Sequence, residues 1–365
     1  MAEVLLQELS NQDIDWMLDV GIKVEIEPGT VLIQQGQPLD ALHILLDGAL
    51  TVSVSQSDEN PLGRAFAVLE GGTLPGREIA RLSSGEMVGE IPFVDTYLPA
   101  TTVTATTKSS VLTIKQSHLK RKLQQDLSFA AHLYRASAVL LAHRLEQMMR
   151  QLGNSTVVLS QSQLREALII FAELDDSDID WLIAAGRVEQ FATNSVLIRS
   201  GRPIESLHIL LDGIVGLNAA EAGSNPLAQA FSNLEDSRNQ PIEKEFARMS
   251  RGDILGETPF IDAQTPAITV KALRDSRVLS IPRWRLSAKL LHDVGFAARF
   301  YRVLAIILAD KQQGIVQRLG YGRVTYSTGK SLEESYANEL NTNFLAQVAL
   351  AGARFEWMLK RIRVE

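Results

Sequence analysis

The chain has 365 residues, 45% of them hydrophobic and 22% charged, the balance of an ordinary soluble globular protein long enough for two domains. It has no cysteine, which excludes disulfides, thiolate nucleophiles, Cys zinc sites and Fe–S clusters. The net charge of −7 argues against a general nucleic-acid binder, which would carry a basic face. The opening MAEVLLQELSNQD has neither the basic stretch nor the apolar run of a signal peptide. No apolar run approaches the roughly 18 residues of a membrane span, so a cytoplasmic address and no membrane insertion are expected.

In chain order, NQDIDWMLDVG (11–21) predicts a short helix with Asn11 as its cap and acids in its first turn. Short strands follow in TVLIQ, LHILL and ALTVSV, punctuated by Pro28-Gly29, Gly36-Gln37-Pro38 and Asp47-Gly48. Strands of this length and spacing point to a small barrel or sandwich. Residues 55–80 read as an enlarged hairpin, and Phe129, Leu133, Ala136 and Leu140 mark a long helix of period near 3.6.

The whole pattern then recurs. Asp13-Ile14-Asp15-Trp16 returns as Asp178-Ile179-Asp180-Trp181, here with Ser177 as the expected cap. His43-Ile44-Leu45-Leu46-Asp47-Gly48 returns as His208-Ile209-Leu210-Leu211-Asp212-Gly213, and Asn60-Pro61-Leu62 as Asn225-Pro226-Leu227, all offset by 165. After a second hairpin at 220–247 the offset becomes 167. Gly89-Glu90 then matches Gly256-Glu257, and Asp126…Phe129-Ala130-Ala131…Tyr134-Arg135 matches Asp293…Phe296-Ala297-Ala298…Tyr301-Arg302. A constant register with one small step is a duplicated domain. The expected organisation is α+β, with domains at 1–153 and 154–318, each a helix, a set of strands and a long helix. An extension at 319–365 ends in one amphipathic helix, with Phe344, Val348, Phe355 and Leu359 on its stripe and Arg354, Lys360, Arg361 and Arg363 near its end.

These motifs resemble the cyclic nucleotide-binding domain, the jelly-roll-like β-roll of the catabolite activator protein and of protein kinase A regulatory subunits. The early signature is Gly29-Thr-Val-Leu-Ile-Gln-Gln-Gly36-Gln-Pro-Leu-Asp40-Ala-Leu-His-Ile-Leu-Leu-Asp-Gly48. The second copy keeps Gly201, Glu205 and Gly213 but has Asn194 at the first glycine position. The late signature is Gly85-Glu-Met-Val-Gly89-Glu90 and Gly252-Asp-Ile-Leu-Gly256-Glu257. The resemblance implies two tandem β-rolls, and in each a cassette where free backbone N–H groups meet a cyclic phosphate. In that family the Glu after the glycine accepts from a ribose hydroxyl, and an Arg about ten residues on pairs with the phosphate.

The cassettes here depart from that pattern. They read Gly89-Glu90-Ile91-Pro92-Phe93…Pro99-Ala100-Thr101-Thr102-Val103 and Gly256-Glu257-Thr258-Pro259-Phe260…Pro266-Ala267-Ile268-Thr269-Val270. The Arg position is Pro99 in one and Pro266 in the other, and Pro92 and Pro259 offer no N–H. Losing the Arg and an amide costs roughly 3–6 kcal/mol, about two to four decades of affinity. Lys271 and Arg274 leave copy two as the more open case. Glu90 and Glu257 read either as helix-cap carboxylates or as residual polar-ligand contacts.

The candidate ligand set of these degenerate pockets is therefore Gly89, Glu90, Ile91, Thr101, Thr102, Gly256, Glu257, Thr258 and Thr269. His43 and His208 read as strand packing residues. No catalytic constellation, cofactor site or metal-ligand spacing is visible, and no second, recognition-type helix follows the rolls. The expectation is a non-enzymatic adaptor, scaffold or regulatory protein with a protein partner or self-association. A cyclic nucleotide sensor is the alternative, and a DNA-binding regulator is less favoured. The candidate partner-binding residues are Phe344, Val348, Phe355 and Leu359, whose stripe fits either the chain's own surface or a partner's groove.

Overall fold

A computed structural model describes residues 3–54, 77–89, 99, 101–152, 165–220, 243–261, 266, 268–318 and 342–363. The chain divides into two compact units. The first is Met1–Gln151 with Leu304–Ala337, and the second is Leu152–Val303 with Asn338–Glu365.

The first roll opens with α1 (Glu3–Glu8) and α2 (Asn11–Val20). Eight strands follow: β1 (Ile22–Ile26), β2 (Val31–Ile33), β3 (Ala41–Asp47), β4 (Ala49–Val54), β5 (Arg77–Ser83), β6 (Met87–Val88), β7 (Thr102–Ala105) and β8 (Ser109–Lys115). They form two four-stranded antiparallel sheets, ordered β1-β8-β3-β6 and β2-β7-β4-β5. Then come α3 (Gln116–Gln125) and the long α4 (Leu127–Leu152).

The second roll repeats this with α5 (Arg165–Glu173), α6 (Asp176–Ala185), β9 (Arg187–Phe191), β10 (Val196–Ile198), β11 (Ser206–Asp212), β12 (Ile214–Ala220), β13 (Glu243–Ser250) and β14 (Ile254–Leu255). A one-turn helix α7 (Thr258–Ile261) precedes β15 (Ile268–Ala272) and β16 (Ser276–Pro282). Helices α8 (Arg283–His292), α9 (Val294–Arg318) and α10 (Thr342–Arg361) complete the chain's described elements. Its sheets run β9-β16-β11-β14 and β10-β15-β12-β13.

The duplication extends to register. Ala41 faces Lys115 as Ser206 faces Pro282, and irregularities fall at equivalent places, Leu45/Asp47 and Leu210/Asp212. In β4, Leu50, Val52 and Val54 alternate inward, as expected for a strand with one buried face. In the second roll Leu210, Val215, Leu255, Val270 and Val278 close the interior. The turn before β2 needs a left-handed residue. Gly29 supplies it at φ 86°, and Asn194 at φ 69° in copy two, asparagine being among the few side chains at ease there.

Each roll ties its first helices to its long helix through the repeated motifs. The caps are not Asn11 and Ser177. Ser10 caps α2 in a reciprocal box, its Oγ accepting from Asp13 N (3.2 Å) while Asp13 Oδ2 accepts from Ser10 N (2.8 Å). In copy two, Asp178 Oδ2 accepts from Asp175 N at 3.0 Å. The acid three residues into the helix selects these earlier caps. Asp126 and Asp293 cap α4 and α9, accepting from Phe129 N (3.0 Å) and Phe296 N (2.9 Å). Phe129 and Phe296 are fully buried and meet Trp16 and Trp181 with ring centroids 4.9 and 5.5 Å apart. Arg135 pairs with Glu8 at 3.1 Å and Arg302 with Glu173 at 2.6 Å.

The buried carboxylate of the Asp-Ile-Asp-Trp motif has a different partner in each copy. His132 Nδ1 lies 2.7 Å from Asp13 Oδ2. At the equivalent position Arg299 donates to Asp178 through Nε (2.6 Å) and Nη2 (3.0 Å). Burial acts to raise the Asp13 carboxyl, but the Ser10 hydrogen bonds and His132 hold it below its usual range.

Helix α10 packs on α5 and α6. Ala351, Phe355, Met358 and Leu359 are buried, and Phe355 meets Phe171 at 5.3 Å. Arg354 Nη1 donates to the carbonyls of Phe171 and Leu174, both at 2.9 Å, satisfying the end of α5. Its Nε donates to Asp176 at 2.8 Å. Phe355 and Leu359, read as fitting either a partner's groove or the chain's own surface, are buried within the second unit, where Phe355 finds Phe171 of α5. Side chains of Phe344 and Val348 lie outside the described residues. Among the described residues, no helix is long and apolar enough to cross a membrane.

Candidate functional site: the two cassette regions

The cassettes are built on the turn that joins β6 or β14 to the segment beyond. Gly89 and Gly256 take φ 84° and 82°. A Cβ at either would come within 2.6 Å of a backbone oxygen, Ala41 O or Ser206 O. Both glycines are thus required by strand packing, whether or not a ligand is present. The first acid of each motif is also structural. Glu86 is buried and its Oε2 accepts from Ser83 N (2.7 Å), and Asp253 Oδ2 accepts likewise from Ser250 N (2.6 Å).

Glu90 and Ile91 lie outside the described residues. In copy two, Glu257 is half-buried, Thr258 opens α7, and the Glu257 carbonyl accepts from Phe260 N at 3.0 Å. Phe260 is buried and sets its ring edge against Phe300, centroids 6.1 Å apart. Phe300 stacks in turn on Phe296 at 5.8 Å, which meets Trp181. An aromatic column therefore joins α7 to α9 and α6.

The segment that carries the family's arginine is stitched to the turn before β3. Pro99 O accepts from Gly36 N and Pro266 O from Gly201 N, both at 2.9 Å. Thr102 Oγ1 accepts from Gln35 N (3.2 Å), and Thr269 Oγ1 from Ser200 N (3.3 Å). Thr102 and Thr269 are buried, so these hydroxyls brace the two segments. Thr101, beside them, is half-buried in a bend. Each brace is worth about 1 kcal/mol.

The two bases of copy two lie beyond Pro266, on and after β15. Lys271 falls on the opposite face of β15 from the core residues Val270 and Ala272. Arg274 lies in the turn beyond the far end of β15, a strand about 14 Å long.

The paired histidines hold strands together. His43 Nδ1 lies 3.0 Å from Thr113 Oγ1. His208 Nδ1 lies 2.8 Å from Ser280 Oγ, which donates to Glu189 Oε2 at 2.7 Å. Ser280 has one proton and gives it to Glu189, so Nδ1 of His208 carries the proton of that ring. Burial pushes His208 down to about 4, against the opposing pull of Glu189. Burial lowers His43 in the same direction. Among the described residues no group of three or more His, Asp or Glu is placed to hold a metal ion.

Sequence reasoning missed the proline carbonyls as structural acceptors and the His132/Arg299 exchange. The first leaves no side-chain signal, while the second was legible by applying the 167-residue offset to every polar position.

The chain is similar to the regulatory domain of Toxoplasma gondii PKA, solved with cAMP, at 17% identity over 80% of this chain and 89% of that one, with a TM-score of 0.28. It is similar to the regulatory subunit of a cAMP-independent protein kinase A from Trypanosoma cruzi, solved with guanosine, at 16% identity over 80% and 81%, TM-score 0.28. The Thermus thermophilus catabolite activator protein matches at 19% identity over 52% and 75%, TM-score 0.32. No curated protein matches. The cyclic nucleotide-binding domain family matches twice, over 23–126 and 188–293, more than half of the sequence, and the chain belongs to that family as a tandem member.

Proposed function

We propose that this is a non-enzymatic regulatory or adaptor protein whose two rolls have given up the phosphate contact and act by binding a protein partner. The observation that carries the reading is the paired proline. Pro99 and Pro266 occupy the position of the phosphate-pairing arginine, and their carbonyls accept from Gly36 and Gly201. Hydrogen-bond donors for an anion are thereby replaced by acceptors already in use. Thr102 and Thr269 reinforce this, since their hydroxyls serve the same turns. The proposal includes no catalytic step.

A second-messenger sensor is the alternative, and copy two carries an observation that bears on it. There α7 follows Gly256-Glu257 and is fastened by Phe260 to the aromatic column on α9. Occupancy of that cassette would be transmitted directly to the long helix.

A thermal-shift titration of the purified chain with cyclic AMP, cyclic GMP and cyclic dinucleotides separates the two. A ligand at a hundred times its Kd stabilises its domain by about 2.7 kcal/mol, a shift of a few degrees. A flat response to millimolar concentrations is expected. A saturable shift removed by Glu257→Ala would overturn the adaptor reading in favour of the sensor.

A further inference from the structure

Helix α8 carries an apolar stripe that its own domain does not use. The helix reads Arg-Trp-Arg-Leu-Ser-Ala-Lys-Leu-Leu-His. Leu286 is fully buried and anchors it to the roll, while Lys289 is paired with Asp293 at 2.6 Å. About half a turn round the helix from Leu286, Trp284, Ala288 and Leu291 fall at i, i+4 and i+7, on one face. All three are exposed, Trp284 at 69% and Leu291 at 76%.

The first copy supplies an internal control. Its α3 sits at the same place, with Leu119 buried as Leu286 is and Lys122 paired with Asp126 as Lys289 is with Asp293. At the three outward positions it has Ser117, Arg121 and Gln124, all exposed and polar. The fold therefore does not need the apolar stripe. An exposed tryptophan flanked by arginines has the composition of an interface anchor.

Charge narrows the occupant. Arg283, Arg285 and Lys289 make α8 basic, and it contains no acidic residue. Arg285 holds its guanidinium 5.1 Å from the Trp284 ring centre and donates to Ala185 O at 3.2 Å, so a cation is fixed beside the stripe. A second copy of α8 would bring like charges together and is disfavoured.

We propose that α8 is a docking surface for an acidic amphipathic helix of another protein, seated on Trp284, Ala288 and Leu291 with its carboxylates against the flanking arginines. The inference rests on the adaptor reading and names its surface. The two fail separately, because nucleotide titration interrogates the cassettes and the following test interrogates α8.

The probe is a labelled 14-residue helical peptide with leucines at i, i+3, i+4 and i+7 and glutamates on its flanks. Its twin carries lysines instead. Binding to the full chain is read by fluorescence anisotropy. The comparison protein is the triple variant Trp284→Ser, Ala288→Arg, Leu291→Gln, which copies the residues of the first roll. These positions face solvent, so its melting temperature should match the parent's, and a melt of both proteins checks this. The acidic peptide should bind at least tenfold more tightly than its twin, and the triple variant should lose at least tenfold. No binding, equal binding of the twins, or binding unchanged in the variant overturns the proposal. So does co-sedimentation with anionic phospholipid vesicles that the variant abolishes, which would make α8 a membrane contact, or a dimer that the variant dissolves, which would make it a self-interface.

Discussion

Replacing His208 by phenylalanine should change how the second roll responds to acid. His208 is 7% exposed, in β11, with Nδ1 held by Ser280 and its pKa pushed down to about 4 by burial. An unfolded histidine titrates near 6.5. Between those values the unfolded chain binds the extra proton and the folded chain does not, so stability rises with pH across the window. The contribution is fully present above about 6.5 and lost as pH falls towards 4. A difference of about 2.5 pKa units is worth about 3 kcal/mol, a large share of a domain's stability. Glu173, raised by burial against the pull of Arg302, works in the opposite sense over part of the window. Comparing parent and variant at each pH cancels it. Phenylalanine fills a similar space against Phe191, whose ring meets His208 edge-on at 6.4 Å, and leaves Ser280 its bond to Glu189. The assay is urea unfolding of both proteins from pH 7.5 to 4. The parent should lose about 3 kcal/mol more than His208→Phe over that range. A difference between the two that stays flat with pH would refute the reasoning.

Three further outcomes follow from the geometry. Arg354→Ala should cost the second unit about 2–3 kcal/mol, since it strips two carbonyls at the end of α5 of their charged donor; hydrogen exchange at α5 and α10 should accelerate ahead of the sheets. Gly256→Ala should destabilise by about 1–3 kcal/mol through its left-handed backbone alone, and by more from the approach to Ser206 O, read as a lowered urea midpoint. His132→Arg, which gives copy one the arrangement of copy two, should stabilise the first roll by up to about 1 kcal/mol at pH 8, seen as a higher melting temperature for that unit.

Much of this was legible in the residues. Repeats such as His43-Ile44-Leu45-Leu46-Asp47-Gly48 kept their register through to the strand pairing, because hydrophobic alternation and turn glycines are local signals. Helix starts were misplaced by one or two residues, because Ser10 and Asp175 act only together with acids three positions on. Trp16 and Phe129 stood out as repeated residues without declaring that they touch. That is long-range information, absent from any window. Helix α10 shows the same limit. Its stripe announced that Phe355 and Leu359 would be covered, but not that α5 would cover them. At the cassettes, the missing arginine was plain, while the service of Pro99 and Pro266 as acceptors rests on backbone oxygens that every residue has.

The docking of α10 on α5 also orders events in time. The bonds that close the end of α5 come from Arg354, 180 and 183 residues later in the chain. A ribosome that has released α5 and the strands of the second roll has not yet supplied the side chain that satisfies them. The first roll's own strands and helices, by contrast, are all present early in synthesis. The second must wait with an uncovered apolar helix until α10 emerges. A chain lacking α10 would present that surface to chaperones and proteases, so loss of this one helix should lower the abundance of the whole protein.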